Sequence, residues 1–80
     1  MKKCYIPVVS ILDEYGNRVE VIDGIACSNK KREMQQVRKE LEKNIKDGKY
    51  DKYVNFANNE TLSADIEVRN DDTWELLWIE

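Results

Sequence analysis

Lys30-Lys31-Arg32-Glu33-Met34-Gln35-Gln36-Val37-Arg38-Lys39-Glu40-Leu41-Glu42-Lys43-Asn44-Ile45-Lys46 is the stretch whose reading decides the fold. Met34, Val37, Leu41 and Ile45 recur at steps of three, four and four, which sets one apolar stripe along an α-helix. The residues between them are good helix formers or polar surface residues. The segments on either side read as short β-strands, so the helix is expected to cover one face of a sheet.

Upstream, Cys4 to Leu12 is β-branched and nearly continuous in apolar residues, a strand covered on both faces for part of its length. Pro7 cannot donate to a ladder, which predicts an edge at that point. Asp13-Glu14-Tyr15-Gly16-Asn17 is turn chemistry, and Arg18 to Ile22 returns as a second strand. Pairing Asp13 with Arg18 and continuing in register sets Ser10 against Val21, Ile6 against Ile25 and Cys4 against Cys27. One inserted residue near Asp23-Gly24 would undo that register. Reduced thiols are the expectation, because cross-strand geometry is poor for a bridge.

Ser28 or Asn29 is the expected helix N-cap, and Gly48 the residue that stops the helix. Tyr50, Tyr53, Val54 and Ala57 repeat at helical spacing, so Lys49 to Asn58 is read as a short second helix or a turn, whose aromatics pack on the end of the first. Leu62, Ala64, Ile66 and Val68 alternate with Ser63, Asp65, Glu67 and Arg69, a half-buried strand. After an Asn70–Thr73 turn, Trp74 to Ile79 returns with apolar residues on both faces. An even turn sets Ile66 against Leu77 and the tryptophans beside Asp65 and Glu67. An odd turn moves the tryptophans to the Ile66 face and turns Leu77 and Ile79 outward. The expected architecture is α+β in ββ-α-ββ order: an antiparallel sheet of about four strands, one long amphipathic helix on one face, and residues 1–80 as a single domain.

Eighty residues support one modest core, burying roughly 60% of the unfolded surface. There is no histidine and there are two cysteines, so Ser-His, Cys-His and four-ligand zinc arrangements are excluded. We therefore expect no enzyme, no metal and no cofactor. No apolar run approaches the roughly 20 residues of a membrane span. Lys2 and Lys3 begin a basic start, but Asp13 and Glu14 interrupt it before a signal peptide is complete, so a cytoplasmic protein is expected.

The net charge of −3 is unevenly spread. Residues 29–49 carry eight basic and four acidic groups, whereas residues 50–80 carry two basic and eight acidic. Two candidate surfaces follow. Asp65, Glu67, Asp71, Asp72 and Glu75, with Trp74 and Trp78 as apolar anchors, form an acidic hairpin suited to a basic protein partner. Lys30, Lys31 and Arg32 sit against the positive end of the helix dipole, an arrangement that suits a phosphate or nucleic acid, with Lys2 and Lys3 as candidates to join them. A solvated helix beside an acidic hairpin, or a homodimeric structural subunit, accounts for the same charges without a ligand. In size, acidic balance and lack of catalytic groups the chain resembles small phage-encoded inhibitors such as anti-CRISPR proteins. That resemblance implies a small interaction protein that binds and inhibits a macromolecular partner.

Overall fold

The structure is a computed structural model and describes residues 2–24 and 28–80. The amphipathic stretch forms α1, Lys31–Lys46. Its end is a Schellman motif: Gly48 N–H donates to Ile45 O and Lys49 N–H to Asn44 O, with Gly48 at φ 78°. Its start differs from expectation. Lys30 takes the N-cap position with no side-chain cap, and the Ser28 hydroxyl instead accepts from Lys30 N–H. Ser28 is held back from the helix because its N–H and C=O exchange hydrogen bonds with Tyr5.

Four antiparallel strands, β1 (Lys3–Leu12), β2 (Arg18–Gly24), β3 (Thr61–Asn70) and β4 (Leu76–Ile79), form one sheet in the order β2-β1-β3-β4. The fold is α+β, with α1 packed on β1 and β3. The stripe residues Met34 and Leu41 are buried, against Ile66 and Val68 in one case and Val9 and Tyr50 in the other. These sheet residues belong to the alternating sets Tyr5-Pro7-Val9-Ile11 and Leu62-Ala64-Ile66-Val68, which oppose one another across the ladder. The alternation in β3 therefore points its apolar side at the helix, as the period-two pattern requires.

Pro7 lies in a central strand, opposite Ile66 of β3, whose backbone N–H and C=O bond Glu80 instead. The edge expected at Pro7 falls against residues 25–27, outside the described residues. The β1–β2 register holds at Ser10–Val21 but shifts on either side of it, giving Val9–Asp23 and Leu12–Arg18. The expected pairings with Ile25 and Cys27 lie outside the described residues.

Of the two expectations for Lys49 to Asn58, the turn is what forms: two single 3₁₀ turns, Asp51–Tyr53 and Phe56–Asn58. Tyr50 packs under the end of α1, whereas Tyr53 and Phe56 are more than half exposed. The helix stripe is already saturated by Tyr50 and the sheet, so the later aromatics find no apolar surface to cover.

Candidate interaction surface

The helix covers one sheet face and leaves the other open. On the open face β1 presents Cys4, Ile6, Val8 and Ser10, and opposite them β3 presents Arg69, Glu67, Asp65 and Ser63. Among the described residues no helix lies over this face, yet Cys4, Val8, Ser10 and Glu67 are all buried. Curvature contributes to this. Arg18 opposes Leu12 and Glu67 opposes Ile6, positions six residues, or about 20 Å, apart along β1. An arginine and a glutamate cannot bridge that span on a flat sheet, yet Arg18 Nη1 donates to Glu67 Oε2. The sheet therefore curls over this face, helped by the two register shifts in β2, since such irregularities increase local twist. Arg69 Nε closes the triad with a 3.0 Å hydrogen bond to Glu67 Oε1.

This geometry divides the acidic hairpin. Glu67 is inside, held by two guanidiniums, and is not available to a partner. Asp65 is half-buried and accepts from the Ser63 hydroxyl at 3.1 Å. Asp71, Asp72 and Glu75 are exposed at the β3–β4 turn. None of these four carboxylates forms an ion pair among the described residues. The turn is built by Asn70, whose side chain accepts from the Asp72 and Thr73 N–H groups.

The tryptophans also part company. Trp74 is not in the returning strand: it adopts φ 63° in the turn, and its ring lies 5.6 Å from the Arg69 guanidinium. A bulge then separates Arg69–Leu76 from Val68–Trp78, leaving Leu77 as the extra residue. Leu77 packs against the Met34–Ile66–Val68 cluster. Trp78 stays on the helix side, its ring under Lys3 Nζ at 4.7 Å and its Nε1–H donating to Glu80. Neither simple turn parity describes this strand, because the bulge brings Leu77 inward while Ile79, opposite Glu67, faces out. The outcome is an exposed apolar rim on the open side: Trp74, Leu76 and Ile79 are 40–48% exposed.

A second cluster gathers where α1 begins. Lys2, Lys3, Tyr5, Asn29 and Asp71 line a shallow concavity of about 390 Å³. Lys30 and Lys31 stand near this end, but both are engaged: Lys30 with Glu33 at 3.7 Å and Lys31 with Glu80 at 3.1 Å. Arg32 is exposed and makes no ion pair among the described residues. Bonds from Trp78 and Lys31 hold the Glu80 carboxyl below its usual range. At the other end of the core, burial and the bond from its hydroxyl to Asp23 push the Tyr50 phenol up.

No protein-family model, curated protein or solved structure matches this chain. No group of three or more potential metal ligands occurs among the described residues. Among the described residues no helix is long and apolar enough to cross a membrane.

The sequence located the hairpin and the basic helix start but missed the Arg18–Glu67–Arg69 triad. The only available signal was Glu67 standing in an alternating strand between Ile66 and Val68, which reads equally well as a solvent-facing charge.

Proposed function

We propose that this chain is a non-enzymatic cytoplasmic protein that binds a basic protein surface through the open-face rim and the β3–β4 turn, and blocks or modulates that partner. The observation that carries the reading is the grouping of exposed Trp74, Leu76 and Ile79 with Asp65, Asp71, Asp72 and Glu75, carboxylates that form no ion pair among the described residues. Unpaired carboxylates steer association, and the apolar rim supplies buried area once contact is made. Glu67 is excluded from the binding set because its charge is spent internally.

The test is nuclease-treated affinity capture with the native chain and with two variants, followed by kinetics on the captured partner. Asp71→Lys/Asp72→Lys/Glu75→Lys should slow association and flatten its salt dependence, whereas Trp74→Ala/Ile79→Ser should speed dissociation. Identical kinetics for all three proteins would end this reading.

One observation favours a second reading, that of a nucleic-acid contact. The fold brings Lys2 and Lys3 to the basic helix start, beside Tyr5 and the half-exposed Trp78. Bases stack on such rings and phosphates meet such lysines. Binding of single-stranded or duplex probes at low salt, lost on changing Lys30, Lys31 and Arg32 to Ala, would support it. No binding to either probe at low salt would remove it.

A further inference from the structure

The free edge of β3, which shares Asp65 with the proposed binding surface, carries a further inference. β3 is ten residues long and β4 only four. On the β4 side, pairing runs from Arg69 back to Glu67 and ends where Ile66 and Glu80 exchange N–H···O bonds of 3.0 and 2.8 Å. Thr61 to Asp65 pair with β1 alone. Because Ile66 directs both backbone groups toward β4, the alternation of an antiparallel ladder directs those of Ala64 and Leu62 the same way. Among the described residues no strand, turn or loop meets them there. Above this edge runs the flank of α1 marked by Lys31, which bonds Glu80, and continued at helical steps by Arg38 and Glu42. Arg38 Nε is enclosed on that flank and is ion-paired with Glu42 Oε1 at 3.8 Å, beyond hydrogen-bond distance.

We propose that this free edge is a strand-addition site, which receives an extended segment of a partner protein antiparallel to β3 and in line with β4. The slot is five residues long, about 17 Å. Two residues of the incoming segment exchange backbone bonds with Ala64 and Leu62, and their side chains lie on the helix side, beside the partly buried Leu62 and Ala64 and below the Arg38–Glu42 flank of α1. The residue opposite Asp65 lies on the open face, where that carboxylate accepts only from Ser63 and meets no cation among the described residues. A basic residue fits there, so the segment alternates basic and small apolar residues and lacks proline at the two bonding positions. The β3 edge of a second copy fits less well. Pairing Leu62 with the copy's Ala64 sets the copy's Glu60 opposite Ile66, where Glu80 already stands.

The experiment is amide exchange by NMR on the full chain, alone and carrying a five-residue extension, Lys-Val-Lys-Val-Thr, joined after Glu80 so that it can continue along the edge at high effective concentration. In the unextended protein the Leu62 and Ala64 amides should exchange quickly while Ser63 and Asp65, bonded to β1, are protected. The extension should slow Leu62 and Ala64 at least tenfold. A Lys-Pro-Lys-Pro-Thr extension, which lacks both donors, should leave them fast. The proposal is overturned if the two amides are already as slow as Ser63 without an extension, or if neither extension slows them. It is equally overturned if sedimentation shows a dimer whose formation protects them, which would name a second copy as the occupant.

Discussion

The two faces of the sheet are buried by different physics. On the helix face, Val9, Ile66 and Val68 are enclosed by Met34, Leu41 and Tyr50, side chains from 32 to 41 residues away along the chain from their contacts. That is ordinary apolar burial, worth roughly 25 cal/mol per Å² removed from water. On the open face, Cys4, Ile6 and Val8 are enclosed by curvature and by neighbouring strands whose long polar side chains lie alongside. The first face needs a second layer. The second needs the sheet to curl, and the Arg18–Glu67 pair is where that curl closes. A twisted sheet that brings opposite corners together thus helps to enclose an apolar cluster on the face away from the helix.

Replacement of Leu41, 1% exposed, should break the helix face first. Leu41→Ala is expected to cost about 2–5 kcal/mol in urea unfolding, as a cavity opens beneath the centre of α1. A loss below about 1 kcal/mol would mean that α1 is not the cover of the main core.

On the open face, Glu67→Ala leaves two guanidiniums without their shared acceptor. Because both arginines are about one-quarter exposed they can turn to water, so the expected loss is about 1–3 kcal/mol rather than that of a fully buried pair. Replacing Arg18, Glu67 and Arg69 together with Met sharpens the comparison: stability close to that of the native chain would show that the apolar cluster, not the ion pairs, holds the curl. A triple variant as unstable as Glu67→Ala would show that the charges themselves close it.

Tyr50 links the two ends of the comparison, packed on the helix side while its hydroxyl bonds Asp23 of β2 at 2.8 Å. Tyr50→Phe should cost about 1 kcal/mol near neutral pH. The phenol is pushed above 10, so the stability it contributes is complete below pH 10 and is lost as pH rises through the folded value. The gap between the native chain and Tyr50→Phe should therefore close in alkali, and ultraviolet titration should show one tyrosine ionising later than the rest.

The smallest effect belongs to Glu80. Its carboxyl is lowered by bonds from Trp78 and Lys31, so its contribution is present above the ordinary carboxylate value of 4.5 and disappears as pH falls through the lower folded value. Solvent screening keeps Glu80→Gln to less than about 1 kcal/mol at pH 7. A pH-independent difference between the two proteins would mean that the contact is one of shape rather than charge.

The legible parts of this fold were those in which one short stretch contains its own evidence. The α1 stripe, the alternation of β3, the Gly48 stop and the Asn70–Thr73 turn each follow from spacing or backbone chemistry within a few residues. The candidate site was legible only in composition. Acidic residues clustered near two tryptophans marked the β3–β4 hairpin, but one carboxylate of that cluster proved internal and one tryptophan lies on the helix side. Spacing does not reveal the bulge at Leu77, because its apolar run fits either parity until β4 meets β3 and α1 together.

By itself, then, the sequence determined the element types, their order and the side of β3 that seeks the helix, since local periodicity and turn chemistry act over one or two turns of chain. Only the tertiary structure decided the strand order, the bulge that parts Trp74 from Trp78, and the pairing of Arg18 with Glu67, 49 residues apart. Those features depend on how far a sheet twists and which corners it brings together, a property of all four strands that no single stretch encodes.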